Sequence, residues 1–233
     1  MHYFALLISK ERDRTPEEGA AEMAAYQSFH EKAASAIRGG DALLPAATGV
    51  RITGGPDAPV ITDGPFVEGA EVAGGYYVFE AENLDEALAL ARDIPAAKHG
   101  GVEIWPMAGG PGLPPQPLAG TNWIALLLEP PERPVPPGSP EWEAMVVQHQ
   151  EFGAAAGQHI KGGAGLHPPS TATTVRVRDG QVITTDGPYV EGAEVANGFY
   201  VLSASDRDEA VKIAAMIPAS TVQLRQLAGV AGL

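Results

Sequence analysis

No cysteine occurs anywhere in the 233 residues. That excludes disulfides, thiolate metal ligands and a cysteine nucleophile, and it accords with a reducing interior. Basic residues are scarce as well: 15 Lys and Arg stand against 29 Asp and Glu, giving a net charge of −14 and a pI near 4.7. A phosphate backbone or an anionic bilayer would repel such a chain, so neither nucleic acid nor membrane is an expected partner. No apolar run approaches the ~18 residues of a spanning helix. The opening MHYFALLISKERDR has neither a basic lead nor a small-residue cleavage site, and a cytoplasmic protein is the expectation. HExxH, CxxC, Walker-type and dinucleotide motifs are missing, and GGPG at 109–112 lies outside any strand–helix context. No cofactor and no metal site are therefore expected.

What the chain does have is one passage written twice. Residues 62–78 read TDGPFVEGAEVAGGYYV and residues 185–201 read TDGPYVEGAEVANGFYV, differing only at Phe66/Tyr189, Gly74/Asn197 and Tyr76/Phe199. The displacement of 186 − 63 = 123 residues is about half the chain. It therefore marks duplication of a whole domain, not a solenoid unit of roughly 20–50 residues. The halves are read as 1–107 and 121–233, joined by a linker at 108–120 (AGGPGLPPQPLAG). A Pro-rich stretch at 130–139 reads as a stiff surface spacer.

Each half shows the same succession of elements. Tyr3–Ile8 is an apolar strand, and Thr15-Pro16-Glu17-Glu18 announces a helix with a capping box. Its stripe is Met23, Tyr26, Ala33 and Ile37, with Gly39-Gly40 as the expected stop. A strand pair (50–53 and 60–62), a strand (75–80), a helix capped by Asn83 and a final strand (102–105) follow. In the second half Trp123–Leu128 is the first strand. Ser139-Pro140 opens a helix whose stripe is Val146, His149, Ala156 and Ile160, with Gly162-Gly163 as the expected stop. Asp179-Gly180 turns a hairpin, Asp206 caps a second helix, and 222–227 closes the unit. The expected fold is α+β, with two ferredoxin-like (split βαβ) repeats, each a four-stranded antiparallel sheet, packed together or closed into one barrel.

The DGPF/DGPY turns, the GGYYV and NGFYV strands, the PPSTATTVR segment and the DEA…IPA helix resemble the YCII-related, DGPFAETKE-type bacterial proteins. That resemblance implies a dimeric α+β barrel, here an intramolecular pseudo-dimer, able to work as a monomer or to pair further as a homodimer. It also implies two kinds of function. One is a cofactor-independent enzyme, a lyase or isomerase moving a proton with a His–Asp pair on a small-molecule ligand. The other is a non-catalytic metabolite-binding or regulatory module, since some relatives are encoded beside sigma factors. Ala70 and Ala193 stand where the family string has lysine, while Glu68, Glu71, Glu191 and Glu194 keep its acids.

Asp63 and Asp186 begin the two DGP turns, where a carboxylate accepts backbone N–H bonds or, facing a cavity, orients a histidine. His149 occupies the place of Tyr26 on the long helix. An imidazole facing an enclosed space could shuttle a proton near neutrality. His149, Asp186 and Asp63 are the expected catalytic residues. Tyr26, Glu68, Glu71, His167, Glu191 and Glu194 are the expected substrate contacts, the acids as a lid or as a plain exposed loop.

Overall fold

A computed structural model describes residues 1–64, 71–110, 112–113, 118–130, 135, 138–188 and 194–230. In the first repeat the strands are β1 (His2–Lys10), β2 (Ile37–Ala42), β3 (Val50–Thr53), β4 (Val60–Asp63), β5 (Glu71–Glu80) and β6 (Gly101–Pro106). Helix α1 (Pro16–Ala33) follows β1, while α2 (Leu84–Asp93) and α3 (Ala96–His99) precede β6. The second repeat runs β7 (Asn122–Glu129), α4 (Pro140–Ala156), β8 (Ile160–Gly165), β9 (Thr173–Arg178), β10 (Gln181–Asp186), β11 (Val195–Ser203), α5 (Arg207–Ala214) and β12 (Thr221–Gln226). Local chemistry sets the helix starts. The Thr15 hydroxyl accepts from the Glu18 amide at 3.2 Å and the Glu18 carboxylate accepts from the Thr15 amide at 2.8 Å, closing the capping box. Asn83 and Asp206 cap α2 and α5 in the same sense, each accepting an amide three residues on.

The four strands β6-β1-β5-β2 stand in that order and are antiparallel, and β12-β7-β11-β8 repeat it. With α1 and α2 as the crossovers of the first set and α4 and α5 of the second, each is a ferredoxin-like unit. The structure corrects the sequence reading in two places. Both long helices end earlier than expected, at Ala33 and Ala156, and the glycine pairs read as their stops lie inside strands β2 and β8. Glycine is required there by close approach: a Cβ on Gly40 would meet the Tyr76 carbonyl oxygen at 2.7 Å, and Gly163 takes φ 151°. The second correction concerns the hairpins. β3–β4 of the first repeat pairs with β12 of the second, and β9–β10 of the second pairs with β6 of the first. Each sheet therefore has six strands, not four, two of them from the other repeat.

The two sheets also join where the end of β2 meets the end of β12 and the end of β6 meets the end of β8. Leu43 bridges Leu227 and Met107 bridges Leu166, with backbone bonds from Ala228 to Ala42 (2.8 Å) and from His167 to Pro106 (3.0 Å) beside them. These contacts close a barrel, and Ala108, Gly109 and Gly112 of the linker run along β8, the last through a bridge to Gly163. Three apolar clusters result. One fills the barrel and draws on both repeats, with Phe4 stacked on Phe199 at 4.4 Å and Tyr76, Trp105, Leu6 and Leu126 around them. The other two lie between each sheet and its helices. The cluster under α4 and α5 includes Val50 and Ile52 of the first repeat, and the cluster under α1, α2 and α3 includes Val175 of the second. Exchange of hairpins makes each half's core incomplete without the other.

Candidate functional site

Residues directly opposite in antiparallel strands share a face, so the registers define what lines the barrel. Across the first sheet one inward row reads Thr174 (β9), Glu103 (β6), Leu6 (β1), Tyr76 (β5) and Asp41 (β2). The equivalent row of the second sheet reads Arg51 (β3), Gln223 (β12), Leu126 (β7), Phe199 (β11) and Ala164 (β8). The apolar centres of the rows match, and the polar positions do not.

Beside these rows lies a cavity of about 250 Å³. Its lining comes largely in repeat-related pairs: Leu6 with Leu126, Ile8 with Leu128, Glu71 with Glu194, Val72 with Val195, Ala73 with Ala196, and Glu103 with Gln223. Arg51, Ala46 and Pro188 complete the described wall. A cavity lined in pairs sits where the repeat's two-fold relation passes, so neither half owns it. Its volume falls just below the ~300–1,000 Å³ of pockets for drug-sized ligands.

Three carboxylates define its chemistry. Glu103, 5% exposed, accepts from the indole Nε1 of Trp105 at 2.9 Å, which fixes one oxygen of the carboxylate. Glu194 pairs with the guanidinium of Arg51 and takes the Thr221 hydroxyl at 2.6 Å. Glu71 opens β5, half-buried at the wall. Among the described residues no three His, Asp or Glu side chains converge as metal ligands.

Of the residues expected from the sequence, Glu71 and Glu194 are brought together in this cavity. Glu68 and Glu191 lie outside the described residues. Asp63 and Asp186 end β4 and β10 on the exposed hairpins, Asp63 in an ion pair with Arg207. His167 is exposed, its backbone tied to Pro106. His149 does not face the cavity. It lies between α4 and the outer face of the second sheet, its Nδ1 2.9 Å from the Tyr200 hydroxyl, and its described hydrogen-bond partner is that tyrosine, not an aspartate. Tyr26 sits in the corresponding layer of the first repeat.

The His149–Tyr200 contact has a counterpart that the sequence reading missed. His30 Nε2 lies 2.7 Å from the hydroxyl of Tyr77, the residue equivalent to Tyr200, although His30 stands one helical turn beyond the place matching His149. Both histidines therefore tie the long helices to their sheets. Burial lowers the pKa of each imidazole and raises that of each phenol.

Glu103, Arg51 and Gln223 were not read as site residues. The alternation Val102-Glu103-Ile104-Trp105 carried the signal: Val102 and Ile104 pack under the helices, which turns Glu103 and Trp105 into the barrel.

A model of the YCII-related domain matches residues 1–108 and again 137–225. This chain belongs to the YCII-related family. The double match also shows that the domain is present in tandem. Comparison with curated proteins gives no match. Among solved structures, the chain is similar to a crystal structure described as "Putative Chlorite dismutase", at 6% identity, covering 97% of this chain and 93% of that one with a TM-score of 0.44. At that score the likeness adds nothing to what the strand order of the two YCII-related repeats already establishes. Among the described residues no helix is long and apolar enough to cross a membrane.

Proposed function

We propose that this YCII-related tandem protein is a small-molecule enzyme working in the cavity between its repeats, with Glu103 as the group that exchanges a proton with the substrate. The observation that carries the reading is the single acid–amide mismatch among the six repeat-related pairs of the wall, Glu103 against Gln223. Both side chains occupy equivalent inward positions, so within this pair the difference is a carboxylate oxygen against an amide nitrogen. Trp105 orients the carboxylate, and a positioned carboxylate moving a proton contributes roughly 10²–10⁴-fold. Elimination and isomerisation are the reaction classes this arrangement suits. Arg51, held by Glu194, belongs to the same lining and can donate to a polar group of the substrate. Both walls come from one chain, which supports a monomer as the working form.

Two variants test the reading. Small molecules released from purified wild-type protein should be absent from Ala73→Trp, in which an indole fills the cavity. With the released compound as substrate, Glu103→Gln should retain binding and lose at least ~100-fold in turnover. His149→Phe should leave turnover intact. Identical released compounds from wild type and Ala73→Trp, or full turnover by Glu103→Gln, would overturn the proposal.

A further inference from the structure

We propose that the ligand of this cavity carries a carboxylate and that Arg225 receives it; the proposal rests on the cavity being the site. Arg225 stands two residues along β12 from Gln223 of the cavity wall, opposite Ile124 of the barrel cluster, and so shares the inward face. Its side chain is 0% exposed. Nη2 donates to the Leu44 carbonyl, while Nε and Nη1 have no hydrogen-bond partner among the described residues. A buried cation in that state lacks the acceptors that would offset its desolvation. Glu11 reaches toward it from a half-exposed position, yet its Oε1 stays 3.7 Å from Nη2 while accepting from the Ala46 amide at 2.7 Å. Ala46 also lines the cavity, so the turn at 44–46 meets the guanidinium and the wall together. Room for the arginine is built in: a Cβ on Gly49 would lie 2.6 Å from Arg225 Cδ. The equivalent places in the other repeat hold Ala172 and Trp105, so the glycine and the arginine differ from the repeat as a pair. A carboxylate matches the planar donor fork, and its one charge balances one guanidinium. A phosphate dianion would bring a second, uncompensated charge into a buried place. Leu6, Ile8, Leu126 and Leu128 suit the hydrocarbon body of such a ligand.

The test uses three probes of one shape, pentanoate, pentanol and pentylamine, titrated at neutral pH into the full chain by ligand-observed NMR, in a buffer free of carboxylates and phosphate. Pentylamine is included because Glu71, Glu103 and Glu194 belong to the same wall. Wild type, Arg225→Met and Ala73→Trp are compared, each with its fold checked by circular dichroism. Pentanoate should bind wild type more tightly than either other probe and lose binding in Ala73→Trp. It should weaken at least about tenfold in Arg225→Met, the loss of one hydrogen bond to a charged group. Pentanol should bind wild type and Arg225→Met equally, a readout that a merely structural arginine would move. Undiminished pentanoate binding by Arg225→Met, or equal weakening of pentanoate and pentanol there, would overturn the assignment to Arg225 and leave the cavity reading standing. So would pentanol or pentylamine binding wild type as tightly as pentanoate, in a manner Ala73→Trp abolishes. Binding by no probe, or binding that Ala73→Trp does not touch, would overturn both.

Discussion

Ile52 belongs by sequence to the first repeat and by packing to the second. It is 3% exposed, stands directly opposite Val222 on β12 and packs in the cluster under α4 and α5. Ile52→Ala removes three carbons, worth about 2.4 kcal/mol at ~0.8 kcal/mol per buried methylene. The void that surrounding β-strands cannot close brings the expected loss to about 3–4 kcal/mol. For a chain of this length that corresponds to a fall of roughly 6–16 °C in Tm. Urea titration measures the loss, and native-state hydrogen exchange locates it. Amides of β12 and α5, in the second repeat, should lose protection first, while β1 and β5 keep theirs. Loss of protection centred on β1, β5 and β2, the substituted residue's own repeat, would refute the exchanged hairpins and the shared architecture with them.

Two further outcomes follow from buried polar groups. Arg225 is wholly buried opposite Ile124, a position that Trp105 fills in the first repeat. Its Nη2 donates to the Leu44 carbonyl and Glu11 lies 3.7 Å away, while Nε and Nη1 have no hydrogen-bond partner among the described residues. Arg225→Met should therefore stabilise the protein by about 1–3 kcal/mol in urea unfolding; a loss exceeding 1 kcal/mol would show a stabilising role for the cation that these contacts do not account for. Burial lowers the pKa of His149 in the folded state. The unfolded chain thus binds more protons below about pH 6.5, so stability rises with pH. The contribution is whole above the unfolded value and is lost as pH falls from there through the lower folded value. Acidification from pH 8 to pH 5 should cost wild type more stability than His149→Phe, and equal costs would contradict the neutral His149–Tyr200 contact.

Much of the fold was legible because its signals are local. Thr15 with Glu18, Asn83 with Glu86 and Asp206 with Glu209 each announce a helix start through contacts within four residues. Asp179-Gly180, both at positive φ, marks its hairpin for the same reason. Strands β2 and β8 were hidden because glycine, which strands usually avoid, is needed where Tyr76 and Phe199 press against the backbone. Hairpin exchange left no trace in the pattern either, since Val50 and Ile52 need an apolar partner and their alternation does not say which repeat supplies it. The site divides along the same line. Glu71 and Glu194 could be found because the repeat displays them twice. The alternation around Glu103 marks it as inward-facing, but its difference from Gln223 shows only once strand register makes the two positions equivalent. His149 drew notice as a lone histidine on a helical stripe, and register turns that stripe outward onto Tyr200.

Stoichiometry of binding tests the shared cavity most directly. Native mass spectrometry of the chain with the compound released from wild type should give one ligand per chain. Ala73→Trp and its counterpart Ala196→Trp should each abolish that one event, since the two alanines face the same space from different repeats. Two ligands per chain, with each substitution removing only one, would mean that each repeat holds its own site and that the cavity is not shared.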